Sequence, residues 1–256
     1  TNMPVLVKLT PNVTSILGPA RAAKSGGGDG VSLINTVNSI TSIDLDVMAP
    51  TPTVDGKGTH GGYCGPAVKP MALHMCAEIA RDAETRGLPM SAIGGISNWR
   101  DAAEFIALGA GTTQVCTAAM HYGFKIVDDM IDGLSDWMDS KGYSKISDFQ
   151  GLAVPNVTDW QQLNMNYEVV AEIEQSKCVK CGLCHIVCED TSHQAISADR
   201  VKGERHYDVI DKECVGCNLC MHVCPENCIT MRKVENDKGY MNWTQDPRNP
   251  FSDAAE

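Results

Sequence analysis

Two runs of cysteine carry the plainest chemistry in this chain. Cys178, Cys181, Cys184 and Cys188 form the first, and Cys214, Cys217, Cys220 and Cys224, followed by Pro225, repeat its C-x2-C-x2-C-x3-C spacing. Four thiolates hold an iron–sulfur cube, which takes up and releases one electron at a time. Zinc is the competing occupant, but it favours two CxxC pairs across a longer loop. A third cysteine two residues on leaves one thiolate per run surplus to zinc. The expectation is two [4Fe-4S] clusters and a chain that moves electrons.

Three closely spaced ligands wrap one side of a cube, and the fourth must approach from the far side. The doubled run is similar to that of a two-cluster bacterial ferredoxin, in which the last cysteine of each run crosses to the other cluster. That assigns Cys178, Cys181, Cys184 and Cys224 to one cluster, and Cys214, Cys217, Cys220 and Cys188 to the other. Cys228 is left over and reads as a small buried side chain. The first run ends Cys188-Glu189 where Cys-Pro is usual, a departure that touches no ligand.

A second set of candidates lies upstream, at the ends of short apolar runs. Gly94-Gly95-Ile96 and Cys116-Thr117-Ala118 follow two successive runs, where bare backbone N–H groups and a helix start could seat a phosphate. Gly61-Gly62 and Gly65 could add a third backbone segment, and Thr117 a hydroxyl. Beside an electron relay these point to a flavin mononucleotide (FMN); ligand-free structural turns are the alternative. Lys8 ends an apolar run, and a cation there could lie against the N1–C2 carbonyl edge of a flavin; a solvated lysine is the plain alternative. Asn35 and Thr36 offer a donor and an acceptor suited to the imide edge of a planar heterocycle, or simply cap the next turn.

Those residues need a scaffold that brings run ends together. Val5–Leu9, Gly30–Asn35, Pro89–Gly95 and Thr112–Thr117 read as strands, with helices over 15–25, 69–86, 99–108 and 124–140. Near-continuous apolar strands alternating with helices imply a parallel sheet covered on its faces. Polar and glycine residues collect at the C-terminal strand ends, as in (β/α)8 TIM barrels, which need roughly 250 residues when complete. The expected fold is therefore α/β: the C-terminal half of such a barrel over 1–140, a linker over 141–175, a 2[4Fe-4S] ferredoxin-like domain over 176–235 and a tail over 236–256. A short doubly wound sheet is the rival. The stretch 38–65 is long for a strand-to-helix connection and reads as a lid or binding loop, or as disorder. The start Thr1-Asn2-Met3-Pro4 runs straight into a strand, so the first half of the barrel is expected upstream and the chain incomplete and inactive alone.

Composition narrows the partners. The 256 residues carry 21 basic and 32 acidic side chains, a formal charge of -11, with no basic cluster interleaved with aromatics, which argues against nucleic acid. No apolar run approaches the roughly eighteen residues that cross a bilayer, so no membrane is expected. Clustered ligand thiols imply a reducing compartment, read as cytoplasm. No Gly-x-Gly-x-x-Gly follows a strand, so NADH is expected to bind a separate reductase subunit.

Lys8-Leu9-Thr10-Pro11-Asn12-Val13-Thr14, Asn35-Thr36-Val37, Gly61-Gly62-Tyr63-Cys64-Gly65, Ala92-Ile93-Gly94-Gly95-Ile96 and Gln114-Val115-Cys116-Thr117, followed by the double cysteine run, resemble the C-terminal half of dihydropyrimidine dehydrogenases. The likeness is greatest to the flavin and iron–sulfur subunit of the bacterial NAD-dependent form. The resemblance implies electrons from NADH through a partner FAD, relay by [4Fe-4S] clusters, and reduction of the 5,6 double bond of uracil or thymine at FMN in pyrimidine catabolism. It implies Lys8 at the flavin ring, Asn35 and Thr36 at the pyrimidine, and Gly65, Gly94, Gly95, Cys116 and Thr117 around the FMN phosphate. The family's proton-donating cysteine falls upstream of Thr1, so no catalytic acid is expected here, and Cys64 is not given that role. The implied assembly is a homo-oligomer or a heterotetramer with an FAD/NADH-binding reductase subunit. A dihydroorotate dehydrogenase-like flavoenzyme, and a non-catalytic electron-transfer or scaffold protein, remain as alternatives.

Overall fold

The computed structural model describes residues 2–163, 167–191 and 193–234. The chain divides into two units, residues 1–157 and 158–256; the tail expected over 236–256 lies outside the described residues.

In the first unit, β1 (Leu6–Lys8), α1 (Leu17–Ser25) and β2 (Gly30–Leu33) are followed by four short strands, β3 (Val37–Ser39), β4 (Ser42–Asp44), β5 (Ala49–Thr51) and β6 (Gly61–Tyr63). Then come α2 (Lys69–Arg81), β7 (Met90–Ile93), α3 (Trp99–Ala107), β8 (Thr112–Gln114), α4 (Thr117–Tyr122) and α5 (Ile126–Lys141). One parallel sheet has the order β1-β2-β7-β8. A doubly wound sheet reverses its strand order at a switch point; this one runs in a single direction, as barrel strands do. The barrel expectation therefore stands against its rival.

Register explains what the sheet presents. Lys8 pairs with Ser32, Ser32 with Ser91, and Ser91 with Thr112, so one row across the strands is polar throughout. Hydrogen bonds knit it together: Thr112 Oγ1 donates to Ser91 Oγ at 2.8 Å, and the Gln114 amide donates to Ser91 Oγ at 2.8 Å and Ser32 Oγ at 2.9 Å. The apolar neighbours Val31, Leu33 and Ala92 share a buried core with Ile79, Cys76 and Phe105.

Three local expectations need correction. The long stretch 38–65 is neither irregular nor disordered: β3 pairs with β6 and β4 with β5, both antiparallel. The second helix stops at Arg81, not Arg86, because the Asp82 carboxylate accepts from Arg21 and the Thr85 N–H, while the Thr85 hydroxyl donates to Ile79 O at 2.6 Å. The first part of the expected linker is packed structure. Phe149 is buried, stacked on Tyr143 at 5.6 Å and edge-on to Trp137 at 5.0 Å, and the Gly151 and Ala153 N–H groups donate to Ile106 O and Ala107 O. Aromatic surface of that size is too costly to leave in water.

The second unit holds β9 (Glu168–Ile173), α6 (Leu183–Glu189), β10 (Ile196–Val201), β11 (Glu204–Val209), α7 (Leu219–Val223) and β12 (Ile229–Val234). β9 pairs with β12 and β10 with β11, all antiparallel. β9 thus begins inside the stretch expected as linker. Each cysteine run reaches its helix through left-handed residues at equivalent places: Lys180 and Gly182 in the first, Gly216 and Asn218 in the second. These kinks curl successive thiols around one space instead of spreading them along an extended chain.

Candidate functional site

The ends of the parallel strands surround a cleft of about 310 Å³. Lys8 follows from β1, Asn35 and Thr36 from β2, Gly94 and Gly95 from β7, and Cys116 and Thr117 from β8; Gly65 enters from the long excursion. Lys8, Asn35, Thr36, Gly65, Gly94, Gly95, Cys116 and Thr117 therefore line one space, whereas Gly61 and Gly62 do not line it and pair in β6 with Ser39 and Asn38.

One side of the cleft is backbone. Gly65, Gly94 and Gly95 have φ of 88°, 147° and 74°, conformations that L side chains rarely adopt. A Cβ on Gly95 would stand 2.8 Å from Gly65 O and 3.0 Å from Lys69 N, and one on Gly94 2.6 Å from Ala72 Cβ. The cradle thus has no room for side chains at Gly94 and Gly95. Behind it, the α3 N-terminus is anchored by a capping box between Asn98 and Asp101. Asp101 also accepts from Lys69 Nζ at 2.6 Å and the Ser97 hydroxyl at 2.9 Å. Burial works to raise the Asp101 pKa, but Lys69 and Ser97 outweigh it and hold it below the usual carboxylate range. Thr117 Oγ1 donates to Cys64 Sγ at 3.2 Å, which ties the two loops that flank the cradle.

The other side is polar side chain. Partial burial lowers the Lys8 pKa, and Cys116 opposes that shift. Asn35 Oδ1 accepts the Thr36 N–H at 2.9 Å, leaving its NH2 as the group turned to other partners. Asn12 staples this corner: its Nδ2 donates to Thr36 O at 3.0 Å and its Oδ1 accepts the Asn38 N–H at 2.8 Å. Gln114, Tyr63 and Tyr122 also line the cleft and were missed by sequence reasoning. Gln114 had a signal, since it sits two residues from Thr112 and so on the same strand face. A cradle of this form, facing a cation and an amide, fits the phosphate and ring of FMN.

In the second unit, Cys188, Cys214, Cys217 and Cys220 line one cavity, and Cys178, Cys181, Cys184 and Cys224 line another together with Cys228. The last cysteine of each run faces the first three of the other. Among the described residues no group of three Cys, His, Asp or Glu is placed to hold a single metal ion. Backbone N–H groups aim at sulfur in the first cavity, Ala195 N to Cys188 at 3.2 Å and Ala171 N to Cys214 at 3.4 Å, as donors around a cluster do. Asn218 also lines it, and its Oδ1 is buried with no hydrogen-bond partner among the described residues; the amide with its ends exchanged would offer an N–H there. Burial pushes the Cys184 thiol up to about 11, so as a ligand it must give up a proton that the cavity alone retains. Both donor sets fit [4Fe-4S] clusters.

Comparison with known proteins agrees with this division. The dihydroorotate dehydrogenase family model matches residues 1–138, and the 4Fe-4S dicluster domain matches residues 171–231. The chain is 46% identical over 194 residues to the NAD-dependent dihydropyrimidine dehydrogenase subunit PreA of Escherichia coli (strain K12), covering 76% of this chain and 47% of that protein. It is 39% identical over 186 residues to the chloroplastic dihydropyrimidine dehydrogenase (NADP(+)) of Arabidopsis thaliana, covering 71% and 43%. To the catalytic subunit of dihydroorotate dehydrogenase B (NAD(+)) of Pyrococcus horikoshii it is 42% identical over 154 residues, covering 60% and 48%. The chain spans about half the length of the curated relatives it matches. No described helix is long and apolar enough to cross a membrane.

Proposed function

From a chain that belongs to the dihydroorotate dehydrogenase family and carries a 4Fe-4S dicluster domain behind it, we propose the FMN and iron–sulfur component of a dihydropyrimidine dehydrogenase. Its substrate is uracil or thymine, reduced at the 5,6 double bond, with electrons that originate in NADH on a separate FAD-binding reductase subunit. One observation carries the reading: a glycine cradle, a lysine and an amide share a single cleft on a chain that also holds two rings of four thiols. Thiols kept free for ligation suit a reducing compartment such as the cytoplasm.

When bound, FMN supplies hydride exchange with the pyrimidine, and the clusters supply one-electron transfer. The protein's own residues do the rest. The cradle of Gly65, Gly94 and Gly95 takes the phosphate, with the Thr117 hydroxyl beside it. Lys8 holds positive charge at the ring edge, where partial desolvation strengthens its field. The Asn35 NH2 donates to a pyrimidine carbonyl, its own carbonyl being occupied by Thr36. Cys64 and Cys116 lie on the phosphate side, and neither is assigned proton delivery to pyrimidine C5. The eight cysteines of the two runs ligate the clusters in the crossed arrangement of the cavities.

The full-length protein with its reductase should show NADH oxidation that depends on uracil. Equal oxidation with and without a pyrimidine would favour a plain electron carrier, and turnover of dihydroorotate in its place would move the substrate to the other branch of the family.

A further inference from the structure

A [4Fe-4S] cube takes four cysteines, and the cavity around Cys178, Cys181, Cys184 and Cys224 has five. The fifth, Cys228, is 4% exposed, and its Sγ lies 3.4 Å from Cys224 Sγ. Sequence reasoning set it aside as a small buried side chain. Its surroundings say more. The turn between the two cysteines is closed by the Asn227 N–H on Cys224 O at 3.3 Å, with Asn227 at a φ of 49°. Cys228 O accepts the Glu174 N–H at 2.8 Å, so its backbone is fixed where β12 begins. Both thiols are thus presented from one short turn into one space. A single χ1 rotation moves a cysteine sulfur by about 3 Å, comparable to the 3.4 Å between them. Among the described residues, the other cavity is lined by Cys188, Cys214, Cys217 and Cys220 and by no further cysteine.

We propose that Cys228 is a reserve ligand for the cluster of Cys178, Cys181, Cys184 and Cys224, able to take the coordination position of Cys224. With Cys224 in place, the Cys228 thiol donates its hydrogen to the Cys224 sulfur. When Cys224 is lost, the Cys228 proton passes to solvent and its thiolate forms the iron–sulfur bond, with no change in oxidation state. The inference rests on the cluster reading above.

The test is iron and acid-labile sulfide content, with electron paramagnetic resonance, on the full-length chain and four variants. The parent should hold about eight irons. Cys188→Ala should lose one cluster or convert it to a three-iron form, whereas Cys224→Ala should keep two four-iron clusters. Cys224→Ala/Cys228→Ala should fall to the level of Cys188→Ala, and Cys228→Ala alone should keep both clusters. Loss in Cys224→Ala equal to that in Cys188→Ala would overturn the proposal. So would a double variant no worse than Cys224→Ala, or loss of a cluster in Cys228→Ala alone. A parent chain with zinc and no sulfide would overturn the cluster reading itself, and the inference with it.

Discussion

The two units build their sites from opposite materials. In the first, the proposed anion seat is backbone at Gly65, Gly94 and Gly95, and the side chains around it are chemically diverse. In the second, the cavities are lined by side chains, eight identical thiols on turns and short helices. A backbone seat fails when something is added to it. A side-chain seat fails when something is removed. That difference decides which substitutions harm which unit, and it makes the units separable by experiment.

The largest effect should follow removal of an unduplicated thiol. Cys217→Ala in the full-length protein should cost about half the iron and leave FMN content unchanged; parallel loss of both cofactors would show that the sites are not independent. Addition to the backbone seat should come next. Gly95→Val meets Gly65 O and the Lys69 backbone and must hold a strained φ, a cost of about 1–3 kcal/mol. Bound FMN should fall about tenfold or more while iron stays constant, and unaltered flavin with lowered iron would invert the comparison. Asn35→Ala removes the proposed substrate contact from the same cleft. It should lower kcat/KM for uracil by about 1–3 kcal/mol, roughly one to two decades, with both cofactor loads intact. Loss of flavin with normal handling of uracil on reconstitution would assign Asn35 to capping.

A smaller effect is in acid. The native Asp101 pKa is held below the unfolded value of about 3.9, so its stabilisation is fully present above about pH 4 and declines as pH falls through the native value. Thermal unfolding of the first unit, followed through Trp99 and Trp137, should therefore depend on pH in this range. Asp101→Asn should flatten that dependence, and identical slopes for parent and variant would remove Asp101 as its source.

How legible each site was follows from the same contrast. Thiols three and four residues apart report one local geometry, so spacing pointed to both groups of cysteines, and the likeness to two-cluster ferredoxins supplied the expected crossing. Lys8, Asn35 and the glycines were visible only as strand-end residues, because what gathers them is sheet order, a long-range property. Gln114 shows the limit. Thr112 two residues earlier marks its strand face, but its role depends on the register that sets Ser32 beside Ser91, which its neighbours along the chain do not record. The packed segment around Phe149 was misread for a related reason: its glycine and polar residues look like a connection, and its burial depends on Trp137 of α5 and on Ala103 and Ile106 of α3.

The pairing of β3 with β6 has a further consequence. It joins Val37, just past the Asn35–Thr36 corner, to Tyr63, just before Gly65, so the excursion between them begins and ends at a closed clasp. At its tip, Asp44 accepts the Asp46 N–H in a self-contained turn. Because closing a loop costs only about 0.6 kcal/mol more per doubling of its length, the segment beyond the clasp is free to lengthen, shorten or carry foreign sequence. A short flexible insertion between Asp46 and Val47 should shift the melting temperature of the unit slightly and leave FMN affinity alone. The chain thus contains a position where new recognition could be acquired without renegotiating the chemistry beneath it.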